Sequence, residues 1–141
     1  MPGQPRAYPG AELRLQIEAA AADVEKYVGV VRKRWIVLLT LQPTRKLISL
    51  GRAISDALEF CGEIKELLSS KTLAVIEARM RIVKKNVKLS LDSVANDLLE
   101  KAENGSKKVP KFVSYKRAFR SIRKLCGILK RAKDEKNSVQ K

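Results

Sequence analysis

The residues most able to do chemistry in this chain are lysines and arginines that follow one another with no acidic residue between them. No aspartate or glutamate occurs from residue 104 to residue 133, a stretch of 30 residues. Four of the cations there are arginines, whose planar guanidinium groups bind phosphate through two parallel hydrogen bonds. The first candidate set for phosphate contact is Lys107, Lys108, Lys111, Lys116, Arg117, Arg120, Arg123, Lys124, Lys130 and Arg131.

A second candidate set precedes the first along the chain. Arg81, Lys84, Lys85 and Lys88 are spaced at i, i+3, i+4 and i+7, which places them on one face of a helix. Like charges at this spacing repel each other slightly, so an anionic partner would explain the cluster. A solvated helix surface is the alternative interpretation.

Three consecutive cations form a third, weaker candidate. Arg32, Lys33 and Arg34 are adjacent in the sequence. Consecutive residues spread around a helix instead of marking one side of it. Solvation therefore explains this cluster as well as nucleic-acid contact does.

The balance of charge indicates the kind of partner. The chain has 30 Lys and Arg against 15 Asp and Glu, a net charge of +15, and residues 71–141 alone carry +13 of it. Uncompensated like charge destabilises a compact fold, so we expect a polyanion, in the first place the phosphate backbone of double-stranded DNA. No homeodomain, zinc-finger, basic-zipper or RNA-recognition pattern occurs, so we expect binding that is independent of base sequence.

The remaining composition argues against catalysis. The chain has no histidine and only two cysteines, Cys61 and Cys126, without a CxxC spacing. A Ser-His or Cys-His nucleophile and a transition-metal site therefore cannot be built in the usual way. We expect no enzyme, no metal and no cofactor, and two ordinary buried thiols.

The pattern of prolines and apolar residues predicts an all-α fold. The five prolines lie at positions 2, 5, 9, 43 and 110 and leave long proline-free segments. Within these segments the apolar residues recur every three or four positions, as in helices that pack together. We predict one elongated bundle of about four long helices, with breaks near residues 42–44, 69–72 and 104–110. The predicted segments are an extended Pro/Gly-containing arm at 1–10, helices at 11–41, 44–68, 72–103 and 110–136, and a frayed tail at 137–141.

Aromatic and apolar residues are assigned mainly to the core of this bundle. Tyr115 and Phe119 lie at core spacing, which favours packing over stacking on nucleic-acid bases. Residues 35–41 are a seven-residue apolar run, far short of the ~20 that cross a bilayer. The first ten residues lack the apolar segment of a secretory signal, so we expect neither a membrane partner nor secretion through a signal peptide.

The chain resembles the major coat proteins of filamentous and rod-shaped archaeal double-stranded DNA viruses. The resemblance lies in the N-terminal MPGQPRAYPG, the long helices and the basic segment 107–131, and it covers the whole chain as architecture and composition. It implies a nucleocapsid subunit in a virion, whose copies, or a paralogous partner, wrap DNA in A-form as a helical filament. In that family the N-terminal part of the subunit contributes heavily to enclosing DNA, whereas this arm has one charge, Arg6.

Two other functions fit the same residues. One is a cellular chromatin, nucleoid or RNA-associated protein in the cytoplasm. The other is a basic helical module that binds anionic lipid or an acidic partner. Exposed bulky apolar residues beside the lysines would favour the lipid alternative. For a coat protein or a cellular nucleic-acid-binding protein, helices this long predict a repeating subunit more than an isolated monomer. A module that binds lipid or an acidic partner carries no such expectation.

Overall fold

All regular secondary structure in the described part of the chain is α-helical. The structure is a computed structural model that describes residues 10–41, 43–103 and 113–139, with side chains described at 10–41, 43–96 and 115–135. Its helices are α1 (Ala11–Leu41), α2 (Arg45–Gly62), α3 (Ile64–Ser70), α4 (Leu73–Glu103) and α5 (Val113–Val139). The predicted all-α class is confirmed.

The helix bounds agree with the prediction at two of the three expected breaks. α1 ends at Leu41 and α2 begins at Arg45, and α3 ends at Ser70 before α4 begins at Leu73. α5 runs three residues past the predicted end of its helix. Of the arm expected at 1–10 the structure describes only Gly10, which is not helical, and the expected loop at 104–110 lies outside the described residues.

The prediction of one continuous helix over 44–68 is wrong, because a break separates α2 from α3. Glu63 leaves the helical region with φ −95° and ψ 0°, directly after Gly62. Glycine lowers helix propensity by about 1 kcal/mol relative to alanine, so the helix is weakest there. The apolar stripe concealed the break because it continues in phase across it, from Cys61 to Ile64 and Leu68, all of which are buried.

The four long helices form a ring of antiparallel neighbours. α1 packs against α2 and α5, and α4 packs against the same two helices, whereas no contact across the diagonals is found among the described residues. α3 continues the course of α2 and touches α1 and α4. The chain therefore runs up and down around one apolar centre, as short connections between long helices favour.

The core is wider than the single stripe that spacing predicted on each helix. The predicted stripe residues are buried or half-buried wherever their side chains are described. Further buried residues lie beside them, among them Val28 on α1, Phe60 on α2 and Leu125 on α5. An inward face spans more of the helix circumference than one stripe, because each helix contacts two neighbours.

One tight contact fixes the junction between α1 and α2. The indole N–H of Trp35 donates a hydrogen bond to the carbonyl of Leu47, and the ring lies directly over Gly51. A Cβ at Gly51 would overlap the indole ring. Thr44 completes the junction by accepting a hydrogen bond from the backbone N–H of Leu47 at 3.2 Å, which caps α2.

Two glycine-to-alanine variants separate this contact from helix propensity. We expect Gly51→Ala to lower the free energy of unfolding by about 1–3 kcal/mol, because a rigid ring must move out of the way. The control is Gly127→Ala on the exposed side of α5, where a Cβ meets nothing within 4 Å. This control should raise stability by up to about 1 kcal/mol. Chemical denaturation of both variants measures the two changes, and equal effects would contradict the assigned contact.

Candidate nucleic-acid interface

An ion pair between a buried carboxylate and two cations sets the alignment of α4 and α5. Glu77 on α4 is only 2% exposed, and its carboxylate accepts a hydrogen bond from Arg81 Nε at 3.1 Å. Lys133 Nζ on α5 lies 3.4 Å from the same carboxylate. Because Lys133 is near the end of α5 and Glu77 near the start of α4, the two helices are antiparallel. Antiparallel packing of this kind brings the basic faces of α4 and α5 beside each other.

The two basic faces meet in a groove between α4 and α5. Its volume is about 380 Å³, and its cations are Lys88 from α4 and Lys116, Arg120 and Arg123 from α5. Three of these four come from the acid-free stretch. Among the residues whose side chains the structure describes, Asp92 is the one carboxylate that lines the groove. Four cations against one acid make the opening attractive to an anion.

The floor of this groove is apolar. Leu91, Ala95, Tyr115 and Phe119 line it. Tyr115 is buried and Phe119 packs against the core, as their spacing predicted. The long stems of the flanking lysines and arginines can lie over such a floor while their charged ends reach outward.

A second, smaller groove lies on the other side of α5. It has a volume of about 210 Å³ between α1 and α5, and Arg117, Arg120 and Lys124 line it together with Asp23 and Tyr27. Arg120 lines both grooves. The first half of α5 is thus a ridge of cations with a shallow groove on either side.

The candidates on α4 differ in their surroundings. Arg81 is 60% exposed, but its guanidinium group is already paired with the Glu77 carboxylate. Lys84 is half-buried, whereas Lys85 and Lys88 are exposed. Phosphate contact by this set therefore depends mainly on the latter two.

Of the remaining candidate cations in the acid-free stretch, two are described by the structure and three are not. Lys130 and Arg131 are exposed on the second half of α5. Lys107, Lys108 and Lys111 lie outside the described residues.

The three consecutive cations of α1 diverge, as their spacing predicted. Arg32, Lys33 and Arg34 are all exposed. Burial raises the pKa of the Tyr115 hydroxyl, and the positive charge of Arg34 partly opposes that rise. Arg34 therefore lies on the side of α1 that faces α5, close to the cationic ridge.

A further set of cations was missed at the sequence level. No acid occurs between residues 26 and 55, a second acid-free stretch that could have been found by the same scan. It holds seven basic residues, four of them outside the three sets above. Those four are exposed, and they are Lys26, Arg45, Lys46 and Arg52.

The second acid-free stretch and the first half of α5 lie toward the same end of the bundle. The end of α1, the start of α2 and the start of α5 meet there, because the helices alternate in direction. Acids cluster instead at the opposite end of the same helices: Glu12, Glu18, Asp56, Glu59, Glu63, Glu66, Asp134 and Glu135. The acids of α1, α2, α3 and α5 are thus mostly gathered away from this end, whereas α4 also ends there and carries Asp92, Asp97, Glu100 and Glu103.

The two cysteines are buried, as expected. Burial, together with the charge of Glu25, raises the pKa of the Cys61 thiol to about 12. Burial also raises the pKa of Cys126, although Lys84, Arg81 and Lys130 oppose this. Both thiols stay protonated at neutral pH, and the thiolate is the reactive form.

Comparison with known proteins finds no match. No protein family, no curated protein and no solved structure is similar to this chain. Within the described ranges no helix has the length and apolar character to cross a membrane. In the same residues His, Cys, Asp and Glu side chains nowhere gather in a group of three or more that could hold a metal ion.

Neutralising Glu77 should loosen the α4–α5 pair. We expect Glu77→Gln to cost about 2 kcal/mol of unfolding free energy, because Arg81 and Lys133 lose the carboxylate between them. Glu59→Gln, at an exposed site, is the matched control and should change stability by less than about 0.5 kcal/mol. Equal small losses in urea denaturation would show that the ion pair does not hold the helices together.

The thiols provide a second test of the packing. We expect neither Cys61 nor Cys126 to react with a disulfide reagent in the native protein at about pH 8, and both to react in denaturant, because burial keeps them un-ionised. The measurement is the number of thiols titrated with and without denaturant. Rapid reaction of Cys61 in the native state would contradict its burial against α1.

Proposed function

We propose that this chain is a structural protein that binds the phosphate backbone of double-stranded DNA without regard to sequence, as a coat subunit of a helical viral nucleocapsid. One observation carries the proposal: exposed cations from two acid-free stretches, on α1, α2 and the first half of α5, lie toward one end of the bundle. Phosphate contacts supply affinity but no sequence information, which matches a surface of lysines and arginines.

The charge supports close coverage of the nucleic acid. A duplex carries two charges per base pair, so +15 on the chain matches about 7 base pairs at full neutrality. Subunits at that density would lie next to one another along the duplex. A coat protein fits this stoichiometry better than a protein that decorates DNA sparsely.

A cellular nucleoid protein is the closest alternative, and nucleic-acid content separates the two. A native particle holding about 7 base pairs per chain supports a coat. One holding far more than about 15 base pairs per chain supports sparse decoration instead.

Binding to duplex DNA should be strongly salt-dependent and should depend on α5. For about eight neutralised phosphates we expect log K to fall with log salt at a slope near −7. Arg120→Glu with Arg123→Glu should weaken binding by at least about tenfold and make the slope shallower by about 2. Fluorescence anisotropy with a labelled duplex at several salt concentrations measures both quantities.

The control for this experiment is a charge change of the same size elsewhere. Lys65→Glu with Lys71→Glu removes the same charge at exposed sites on α3 and just after it, at the acidic end. We expect little loss of affinity from this pair. Equal losses from the two pairs would mean that net charge alone, and not the α5 ridge, governs binding. A slope near zero in the unmodified protein would refute phosphate binding altogether.

A second candidate function is supported by an exposed apolar row on α4. Val75, Ile82 and Leu89 are all more than half exposed and recur every seven residues. Lys85 and Lys88 lie one turn or less from this row. Apolar side chains beside lysines are the arrangement by which a helix binds an anionic membrane surface.

Vesicle binding separates this candidate from the first. If DNA is the partner, we expect an excess of duplex DNA to abolish co-sedimentation of the protein with vesicles that contain an anionic phospholipid. Ile82→Ser should leave duplex affinity unchanged under the DNA proposal. If the unmodified chain binds vesicles tightly and Ile82→Ser does not, a membrane surface is favoured as the partner.

A further inference from the structure

The outer face of α1 is a surface that the rest of the bundle leaves uncovered. Leu15 is 66% exposed near its start, and Ile36 and Val37 are 48% and 58% exposed near its end. Between them lie small residues, Ala22 and Gly29. At 100° per residue these positions share a face about 100° wide, turned away from the buried face of the helix.

The charges on this face change sign along the helix. Glu18 and Glu25 lie in its first half, and Lys26 and Lys33 in its second half. No salt bridge found in the described part of the chain involves any of the four. Glu18 and Lys33 are 15 residues apart, about 22 Å along the axis, so they cannot meet within one chain.

We propose that this face binds a second copy of the chain, with the two α1 helices antiparallel around a two-fold axis between Glu25 and Lys26. In an antiparallel pair the acidic half of one helix lies against the basic half of the other, twice over. Charge complementarity of this kind fixes orientation and register. A parallel pair would place like charges opposite each other, which costs free energy.

The two-fold axis brings matching residues together along the whole face. Leu15 lies opposite Ile36 of the second copy, and Glu18 opposite Lys33. The small residues Ala22 and Gly29 lie opposite each other, so the helices can approach closely. Such a contact is isologous, because each copy contributes the same surface.

A groove beside this face has room for the partner's side chains. It lies between α1 and the α2–α3 junction, has a volume of about 570 Å³, and is lined by Leu15, Glu18, Ala22, Glu25 and Ile64 among others. Lys65 lines the groove as well, so its charged lining is two carboxylates and one cation. The apolar floor and the two carboxylates fit Ile36 and Lys33 from the opposing helix.

A charge swap tests the contact on nucleic-acid-free protein. In about 0.15 M salt, where the Debye length is about 8 Å, sedimentation velocity gives the dimer dissociation constant. Glu18→Lys alone and Lys33→Glu alone should each weaken dimerisation roughly tenfold, because each creates two repulsive pairs. The double variant Glu18→Lys with Lys33→Glu should restore it, as should mixing the two single variants.

The outcomes are decisive in both directions. Rescue by the double variant requires that residues 18 and 33 meet between copies. Failure of rescue, with the circular dichroism spectrum and unfolding midpoint unchanged, overturns the proposed register. A wild-type chain that stays monomeric up to about 1 mM overturns the interface itself. Duplex affinity of Arg120→Glu with Arg123→Glu, which leaves the α1 face unchanged, is measured in parallel and reports on the DNA proposal separately.

Cross-linking gives a geometric check. One copy carries Ala22→Cys and another Gly29→Cys, and the native thiols are buried. A disulfide between the two copies is expected under mild oxidation, whereas Ala22→Cys mixed with Ile82→Cys on α4 should give none. Equal yields in the two mixtures would contradict the antiparallel α1 pair.

Discussion

The buried carboxylate of Glu77 holds the basic helices of this protein in register. A charged group that is taken out of water must be paired, and here the pairing cations come from two helices, Arg81 on α4 and Lys133 on α5. With that end fixed, the antiparallel course of the helices brings Lys88 beside Arg120 and Arg123. One acid at the core thus places the cations that make α5 attractive to phosphate.

Repulsion among those cations is the cost of the arrangement. The described side chains of α5 hold no acid before Asp134, so nothing on the helix itself neutralises the ridge. The core around it has to supply the compensating stability, and Ile122, Leu125 and Leu129 are fully buried directly beneath. A polyanion bound to the ridge would remove the repulsion, so binding and folding should stabilise each other.

The sequence predicted those features of the fold whose pattern lies within one segment of the chain. Helix type, two of the breaks and the buried residues followed from proline placement and apolar spacing, which report on one segment at a time. The break at Glu63 did not, because the stripe continues in phase from Cys61 to Ile64. The role of Glu77 could not be predicted from local spacing, because its ion pair is with Lys133, 56 residues away. A scan for acid-free stretches would have found the cations Arg45 and Arg52, but only the ring of helices shows that they lie toward the same end of the bundle as the start of α5.

The proposed surfaces occupy different sides of the ring, and this allows them to act together. α1 touches α5 on one side and α2 on the other, so the face that carries Glu18 and Lys33 points away from the α4–α5 groove. Two copies joined through α1 would each keep the ridge of α5 uncovered. Their pairing would use Glu18 and Glu25 together with Lys26 and Lys33, so it would leave the net charge of the remaining surface unchanged. A dimer of this kind would therefore present two uncovered α5 ridges to one polyanion, and two linked contacts hold a partner more tightly than one.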